Sequence, residues 1–324
     1  MKRFRYGVQT AFARAASAVL PCAPFAVVRV AGAVFGWLIY RLGSVPRRIA
    51  RANLDLAFGD TKTLAEKKWI ARRSMQSIAT TILTLFWMSR PSRKRLERLA
   101  DLDEESLAKL REAIARGKGV VLATLHYGNW ELLAVYGGVV GLPFRIVVEE
   151  MRNAPLEAEL FRLRSVTGNQ IVAQRGAALK LLKALRRGEV ATLLTDQNAP
   201  EGGGGDWLEF FGVPAFSNNI AAALAVRTGA ALFSCHATPL PGGRFRLVYG
   251  PEIPYTVTGD YEADVRRISQ QCMTHFEELI REHPEFWLWG YKRWKHRRDL
   301  GDNRYPFYTS GAVLPTRKPT SASA

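Results

Sequence analysis

From position 119 to position 195 the chain alternates short apolar runs with helical patterns, and this alternation restricts the fold more than any other feature. The spacing predicts strand 119–125, helix 129–139, strand 145–149, helix 155–166, a short strand 170–173, helix 176–187 and strand 190–195. Strand and helix alternation of this kind argues for an α/β sheet. Farther on, the same switching of period predicts helix 217–228, strands 231–237 and 244–250, and helix 260–282. Upstream, helical patterns cover 46–58, 63–88 and 102–116; the second places Ile70, Ile78, Ile82 and Leu85 on one face. The expected class is an α/β sheet preceded by a helical, membrane-facing segment, with no internal repeat.

The first 54 residues hold nine Lys or Arg and no acid, Asp55 being the first carboxylate. Inside them AASAVLPCAPFAVVRVAGAVFGWLIY is apolar, but Pro21 and Pro24 interrupt it and Arg29 charges its middle. A clean membrane span needs about 20 apolar residues. No small-residue cleavage site marks a removed signal peptide. The reading is a retained anchor over 1–45, spanning or lying in the interface, followed by a catalytic domain over 46–308. The Ser/Thr/Pro-rich remainder, 309–324, reads as a disordered tail. The net charge of +17 points to an anionic partner. Three widely spaced cysteines (Cys22, Cys235, Cys272) make neither a disulfide framework nor a zinc spacing, and no metal is implied.

The chemistry concentrates in GVVLATLHYGNWELLAVYGGV at 119–139. The strand pattern delivers His126 to the carboxyl end of the sheet, where open α/β sheets bind ligands. Asn129 can cap the following helix, and Glu131 falls in its first turn. A carboxylate five residues past an imidazole, across a tight turn, can hydrogen-bond to it, fix its tautomer and leave the other nitrogen as a general base. A lone His at a strand end is more often a core or turn residue, so its company decides.

Asp196 follows the strand VATLLT and also sits at a strand's carboxyl end, with Gln197 continuing the rim. Asp196 can orient substrate, hold the His126 side of the pocket, or only cap a turn. Arg162 and Arg164 lie on one helix; near a site a guanidinium can bind phosphate or stabilise an oxyanion, whereas such a pair is usually a solvated face. Gly202 to Gly205 lack a Walker lysine and read as a mobile flap. The segment PEFWLWGYKRWKHRR (284–298) interleaves aromatics and cations in the manner of a membrane interface, a reading preferred over a single-strand nucleic-acid platform, with part of the aromatic set open to being plain core. With no G-x-S-x-G elbow, catalytic-cysteine context or dinucleotide fingerprint, the His–carboxylate pair suggests direct attack by a substrate hydroxyl.

Taken together, RRIARANLDLAFGD, GKGVVLATLHYGNWEL, LRRGEVATLLTDQN, LEFFGVPAFSNNIAAALAVRTGA and PEFWLWGYKRWK resemble the bacterial lipid A biosynthesis lauroyl/myristoyl acyltransferases, from about Tyr40 to Trp294. The resemblance implies a mixed central sheet flanked by helices, as in glycerolipid acyltransferases. It also implies an enzyme on the cytoplasmic face of the inner membrane, needing no cofactor. Its partners would be an acyl carrier protein thioester as donor, an anionic glycolipid as acceptor and the membrane surface, with no nucleic acid. The family's His-x-x-x-x-Glu box falls on His126 and Glu131, its helix arginine on Arg164 (or Arg162), and its post-strand aspartate on Asp196. Asn129, Arg162 and Gln197 are the expected substrate contacts. Glycerophosphate acyltransferases differ, carrying Asp in the box and a Glu-Gly-Thr-Arg motif. A relative acting on another acceptor, such as a phosphatidylinositol mannoside, and a non-enzymatic basic binder are the alternatives.

Overall fold

The computed structural model describes residues 2–199, 204–299 and 301–310. The chain begins with helices α1 (Lys2–Val19), α2 (Phe25–Leu42), α3 (Ser44–Phe58), α4 (Leu64–Trp87) and α5 (Arg93–Leu99). Strand β1 (Ala100–Leu102) and α6 (Glu104–Ala115) lead into β2 (Val120–Gly128), α7 (Trp130–Val139), β3 (Arg145–Val148) and α8 (Ala154–Arg164). Next come β4 (Gln170–Ala173), α9 (Ala177–Leu185), β5 (Val190–Leu194), β6 (Gly205–Phe210) and β7 (Val213–Asn218). The last elements are α10 (Ile220–Thr228), β8 (Ala231–Pro239), β9 (Phe245–Val248) and α11 (Tyr261–Glu282).

Seven strands form one sheet in the order β1-β9-β8-β2-β5-β3-β4. Every pairing is parallel except β8 with β9, so the sheet is mixed. β2 lies at its centre and shows why its run is apolar on both faces. Val121, Ala123, Leu125 and Tyr127 join the core under α9, α10 and α11, while Val120 and Leu122 join the one under α6 and α7.

The strand–helix alternation matches the expected order with shifts of a few residues at element ends. Four elements were not anticipated: α1, α5, β1 and the β6–β7 hairpin. That hairpin turns at Phe211 and Gly212, both at positive φ (53° and 69°), the two-residue type I′ geometry whose twist suits paired strands. It takes residues 217–218 from the expected helix, which starts at Ile220. It also places Gly205 of the glycine run in β6, opposite Asn218; Gly202 and Gly203 lie outside the described residues. So does the tail from 311 on. Thr309 and Ser310, expected to be disordered, are held: the Thr309 hydroxyl donates to Trp294 O at 2.7 Å and Ser310 N to Lys295 O at 2.8 Å.

At the N-terminus the two prolines divide the apolar stretch into α1 and α2. Among the described residues α2 alone is long and apolar enough to cross a membrane, with mean hydropathy 1.5 over 18 residues that are mostly exposed; at 1.5 Å per residue it is about 27 Å long. It packs lengthwise on α4 through Gly32 and Gly36, where a Cβ would fall 2.4 Å from Thr80 Oγ1 and 2.3 Å from Gln76 Cα. Small residues four apart allow that backbone approach.

The aromatic-basic segment 284–298 is not an interface belt. Trp287, Trp289, Trp294 and Arg293 are all buried, packed against Phe58, Phe210 and Phe211. Large rings offer more apolar area than any other side chain, and here the core takes it.

Candidate active site

β2 and β5 pair through Thr124 and Leu194, and Thr195 N donates to Thr124 O at 2.9 Å, carrying the register to the strand ends. His126 and Asp196 therefore emerge side by side. His126 Nδ1 lies 2.9 Å from Asp196 Oδ1, and the backbone N–H of His126 donates to Asp196 Oδ2 at 3.0 Å. The indole N–H of Trp287 donates to the same oxygen at 2.9 Å. Asp196 is 1% exposed. Burial alone would push its carboxyl up, but the His126 ring and the hydrogen bonds from His126 and Trp287 outweigh it and hold the group below the ordinary carboxylate range. An ionised acceptor on Nδ1 fixes that nitrogen as the donor and leaves Nε2 as the basic position.

The expected orientation of His126 by Glu131 is thereby corrected. Glu131, 3% exposed, is chelated by Arg164 instead, with Nε 3.0 Å from Oε2 and Nη2 2.5 Å from Oε1. The bidentate geometry is the strong form of this pair. Burial would lower the Arg164 guanidinium, but the Glu131 carboxylate more than offsets it, and the cation is secured.

Local geometry explains how the turn holds. Gly128 adopts φ +56°, and a Cβ there would sit 1.7 Å from Ala237 O, so no other residue fits. Its own carbonyl accepts from Thr81 of α4 at 2.8 Å. Another α4 hydroxyl, Ser74, donates to the carbonyl of Trp287. One helix thus positions both the histidine's turn and the tryptophan that steadies Asp196.

A cavity of about 1270 Å³ opens here, lined by His126, Trp130, Glu131, Arg164 and Gln197. It exceeds the roughly 300–1,000 Å³ of ordinary small-molecule sites. Toward α8 and β3 the wall is apolar, with Ile82, Ala134, Ile146, Val148 and Leu160. Toward α10 and α11 it is mixed: Ile220, Ala223, Leu224 and Val265 stand beside Glu262, Arg227 (over the Tyr261 ring at 4.9 Å) and Arg266 (paired to Asp206 at 2.7 Å). An imidazole base, a fixed cation and a passage apolar at one end suit deprotonation of a hydroxyl beside a long-chain ligand.

Two expected substrate contacts lie elsewhere. Asn129 is fully buried and acts as the cap of α7, its Oδ1 accepting from Leu132 N at 3.0 Å. Arg162 points away from the cavity and pairs with Glu159 at 2.7 Å, because a helical offset of two residues from Arg164 reaches the opposite side. Trp287 was missed as a site residue; its surroundings read as membrane-facing, and only the tertiary fold brings it to Asp196. Arg293 was missed likewise. It is fully buried and donates to Asn198 Oδ1 on the cavity wall at 3.2 Å, and burial lowers its guanidinium to about 10. Among the described residues no group of three or more His, Cys, Asp or Glu side chains could hold a metal ion.

A family model described as bacterial lipid A biosynthesis acyltransferase matches residues 3–296. A phosphatidylinositol mannoside acyltransferase of Mycobacterium tuberculosis is 27% identical over 235 residues, 71% of each chain. Its counterpart from Mycolicibacterium smegmatis is 28% identical over 207 residues, 63% of this chain and 65% of that one. A lipid A biosynthesis acyltransferase of Haemophilus influenzae is 25% identical over 288 residues, 86% of this chain and 87% of its own.

Proposed function

The chain belongs to the bacterial lipid A biosynthesis acyltransferase family, and from that premise we propose that it moves a fatty acyl chain from an acyl carrier protein thioester to a hydroxyl of a lipid A precursor. The observation that carries the chemistry is the His126–Asp196 contact at the cavity wall. His126 Nε2 takes the proton of the acceptor hydroxyl while Asp196 stabilises the imidazolium that forms. The alkoxide attacks the thioester carbonyl, forming the C–O bond and a tetrahedral oxyanion. Arg164, held on Glu131, places its positive charge beside that oxygen. Collapse breaks the C–S bond, and the departing thiolate takes the proton from His126. Gln197, half-buried on the rim, contacts the acceptor.

The apolar wall toward α8 and β3 suits the acyl chain, and Arg227 and Arg266 on the mixed opposite wall suit a phosphorylated headgroup. The +17 charge serves the anionic acceptor, an acidic carrier and an anionic membrane. The membrane-facing part would comprise 1–45, with α1 and α2, and the catalytic part 46–308, at the cytoplasmic face of the inner membrane.

The mycobacterial relatives favour a second acceptor, a phosphatidylinositol mannoside. The deciding experiment offers labelled acyl carrier protein and acyl coenzyme A donors against both acceptors, with wild type, His126→Ala and Glu131→Ala. Transfer to the lipid A precursor, lost with His126→Ala, supports the first reading. Transfer only to the mannoside replaces the acceptor, and transfer only from coenzyme A replaces the donor. Undiminished transfer by His126→Ala sinks the mechanism.

A further inference from the structure

Helix α1 has its polarity reversed relative to an ordinary surface helix. Its inward face is small and polar: Thr10, Ala13 and Ser17, three and four residues apart, are buried. Its outward face carries Phe4, Val8, Phe12 and Val19, exposed at 79%, 53%, 57% and 66%. Their spacing of four, four and seven keeps them on one side of the helix. Arg5 flanks this stripe, Arg3 and Arg14 lie farther round the helix toward α8, and no acid precedes Asp55. An apolar stripe on a helix that carries cations and no carboxylate complements the surface of an anionic bilayer.

The inward face is bonded to the helix that carries Arg164. Thr10 Oγ1 donates to Asn153 Oδ1 at 3.3 Å, and Asn153 Nδ2 donates to Tyr6 O at 3.1 Å and Gln9 Oε1 at 3.2 Å. Asn153 is the N-cap of α8, its Oδ1 also accepting from Leu156 N. One and a half turns on, Ser17 Oγ donates to Glu159 Oε1 at 2.6 Å. Ala13 packs in one cluster with Leu163 of α8 and with Leu85 and Phe86 of α4. The 11-residue α8 ends at Arg164, whose guanidinium chelates Glu131, while Leu160 and Arg164 face the cavity.

We infer that α1 is a membrane-responsive strap: seating its outer stripe in an anionic bilayer clamps α8 and thereby fixes Arg164 on Glu131 at the cavity wall. This inference rests on the lipid-surface reading given above and adds to it a coupling between surface contact and site geometry. In solution α1 is held by its inward face, through Thr10, Ala13 and Ser17, and the bilayer supplies the contact that its outward face lacks.

Hydrogen exchange of the full chain tests it, with and without vesicles of phosphatidylglycerol and phosphatidylcholine. In wild type the vesicles slow exchange over both 3–19 and 154–164, about tenfold in each. Phe4→Glu with Phe12→Glu abolishes both effects. Thr10→Val with Ser17→Ala keeps the slowing over 3–19, keeps the slow exchange of the buried strand 120–125, which shows that the variant is folded, and loses the slowing over 154–164. Slowing confined to 3–19 in wild type overturns the coupling, as does undiminished slowing over 154–164 in the Thr10→Val, Ser17→Ala variant. No slowing over 3–19 removes the membrane face itself. Because exchange needs no substrate, a failure to detect acyl transfer would defeat the functional reading without touching this result.

Discussion

The crevice at the ends of β2 and β5 and the outer face of α1 and α2 depart from ordinary burial in opposite directions. In the crevice Asp196 and Glu131 are 1% and 3% exposed, yet neither is isolated: His126 and Trp287 hold one, Arg164 the other. On the helices Phe4, Phe12, Val30, Trp37 and Leu42 are exposed to solvent over about half or more of their surface. A buried charge persists only when partners compensate its desolvation, and an apolar stripe persists only when something outside the chain covers it. The crevice supplies its own compensation, whereas the helices require a second phase. Segment 284–298 is the control, for its cations and rings resemble a membrane belt in composition, yet its tryptophans lie in the core.

The largest expected effect strikes the crevice. Asp196→Asn leaves the side-chain volume unchanged but removes the anion that sets the His126 tautomer, so kcat should fall about 10²–10⁴-fold. KM should barely move, because Asp196 is too buried to meet substrate. A fall through KM alone would make Asp196 a structural cap and return the partnership to Glu131. Next in size is the control segment. Trp289 is fully buried, with its indole N–H donating to Pro284 O at 2.6 Å. Trp289→Ala should lower stability by about 3–5 kcal/mol, read from urea unfolding. A loss below 1 kcal/mol, accompanied by loss of vesicle binding, would restore the membrane-belt reading of that segment.

How much of this the sequence announced depended on how local each signal was. The strand leading to His126 and the cap at Asn129 are written in consecutive residues, and both appear where the pattern places them. The partner of His126 was legible only as one of several roles open to Asp196, at the end of another strand. Asp196 is 70 positions away, and only the β2–β5 adjacency brings them together, an order that periodicity does not encode. Glu131 is local and was therefore preferred, although the first turn of α7 aims it at Arg164. The β6–β7 hairpin hid behind Pro214 and behind a turn formed by Phe211, a residue type that seldom adopts positive φ. α1 was missed because a helix with its apolar side outward lacks the usual cue of hydrocarbon facing a core. Trp287 and Arg293 were missed because a ring or a cation carries no mark of whether it faces lipid or Asp196.

A titration of His236 on β8 has a smaller expected effect. Burial, with His275 adding to it, pushes the His236 ring down to about 4. The unfolded chain then binds the proton more readily than the folded one between the ordinary value of 6.5 and about 4. Stability from this group is therefore full above pH 6.5, declines as the pH falls toward 4, and levels off below. The whole decline should reach about 3–4 kcal/mol, and His236→Gln should flatten it in urea midpoints taken at pH 7.5, 6 and 5. An unchanged slope in that variant would assign the acid sensitivity elsewhere, with His275, whose ring burial also lowers, the first group to replace.

The smallest expected change carries the most weight for the comparison. Phe12 is more than half exposed on α1, so Phe12→Ser removes little contact within the chain and should alter stability by no more than about 0.5 kcal/mol. If the outer stripe only happened to be apolar, the substitution would be silent in every assay. If it meets lipid, the same substitution lowers affinity for phosphatidylglycerol vesicles while the melting temperature stays in place, since transferring one large side chain to hydrocarbon contributes about 1.5–3 kcal/mol. Core residues cannot show that separation, because Trp289 removed from its cluster loses folding and every other property together. A melting temperature that falls with vesicle affinity would mean that α1 is folded against an apolar surface of the protein, and the contrast between crevice and helices would then reduce to one buried core.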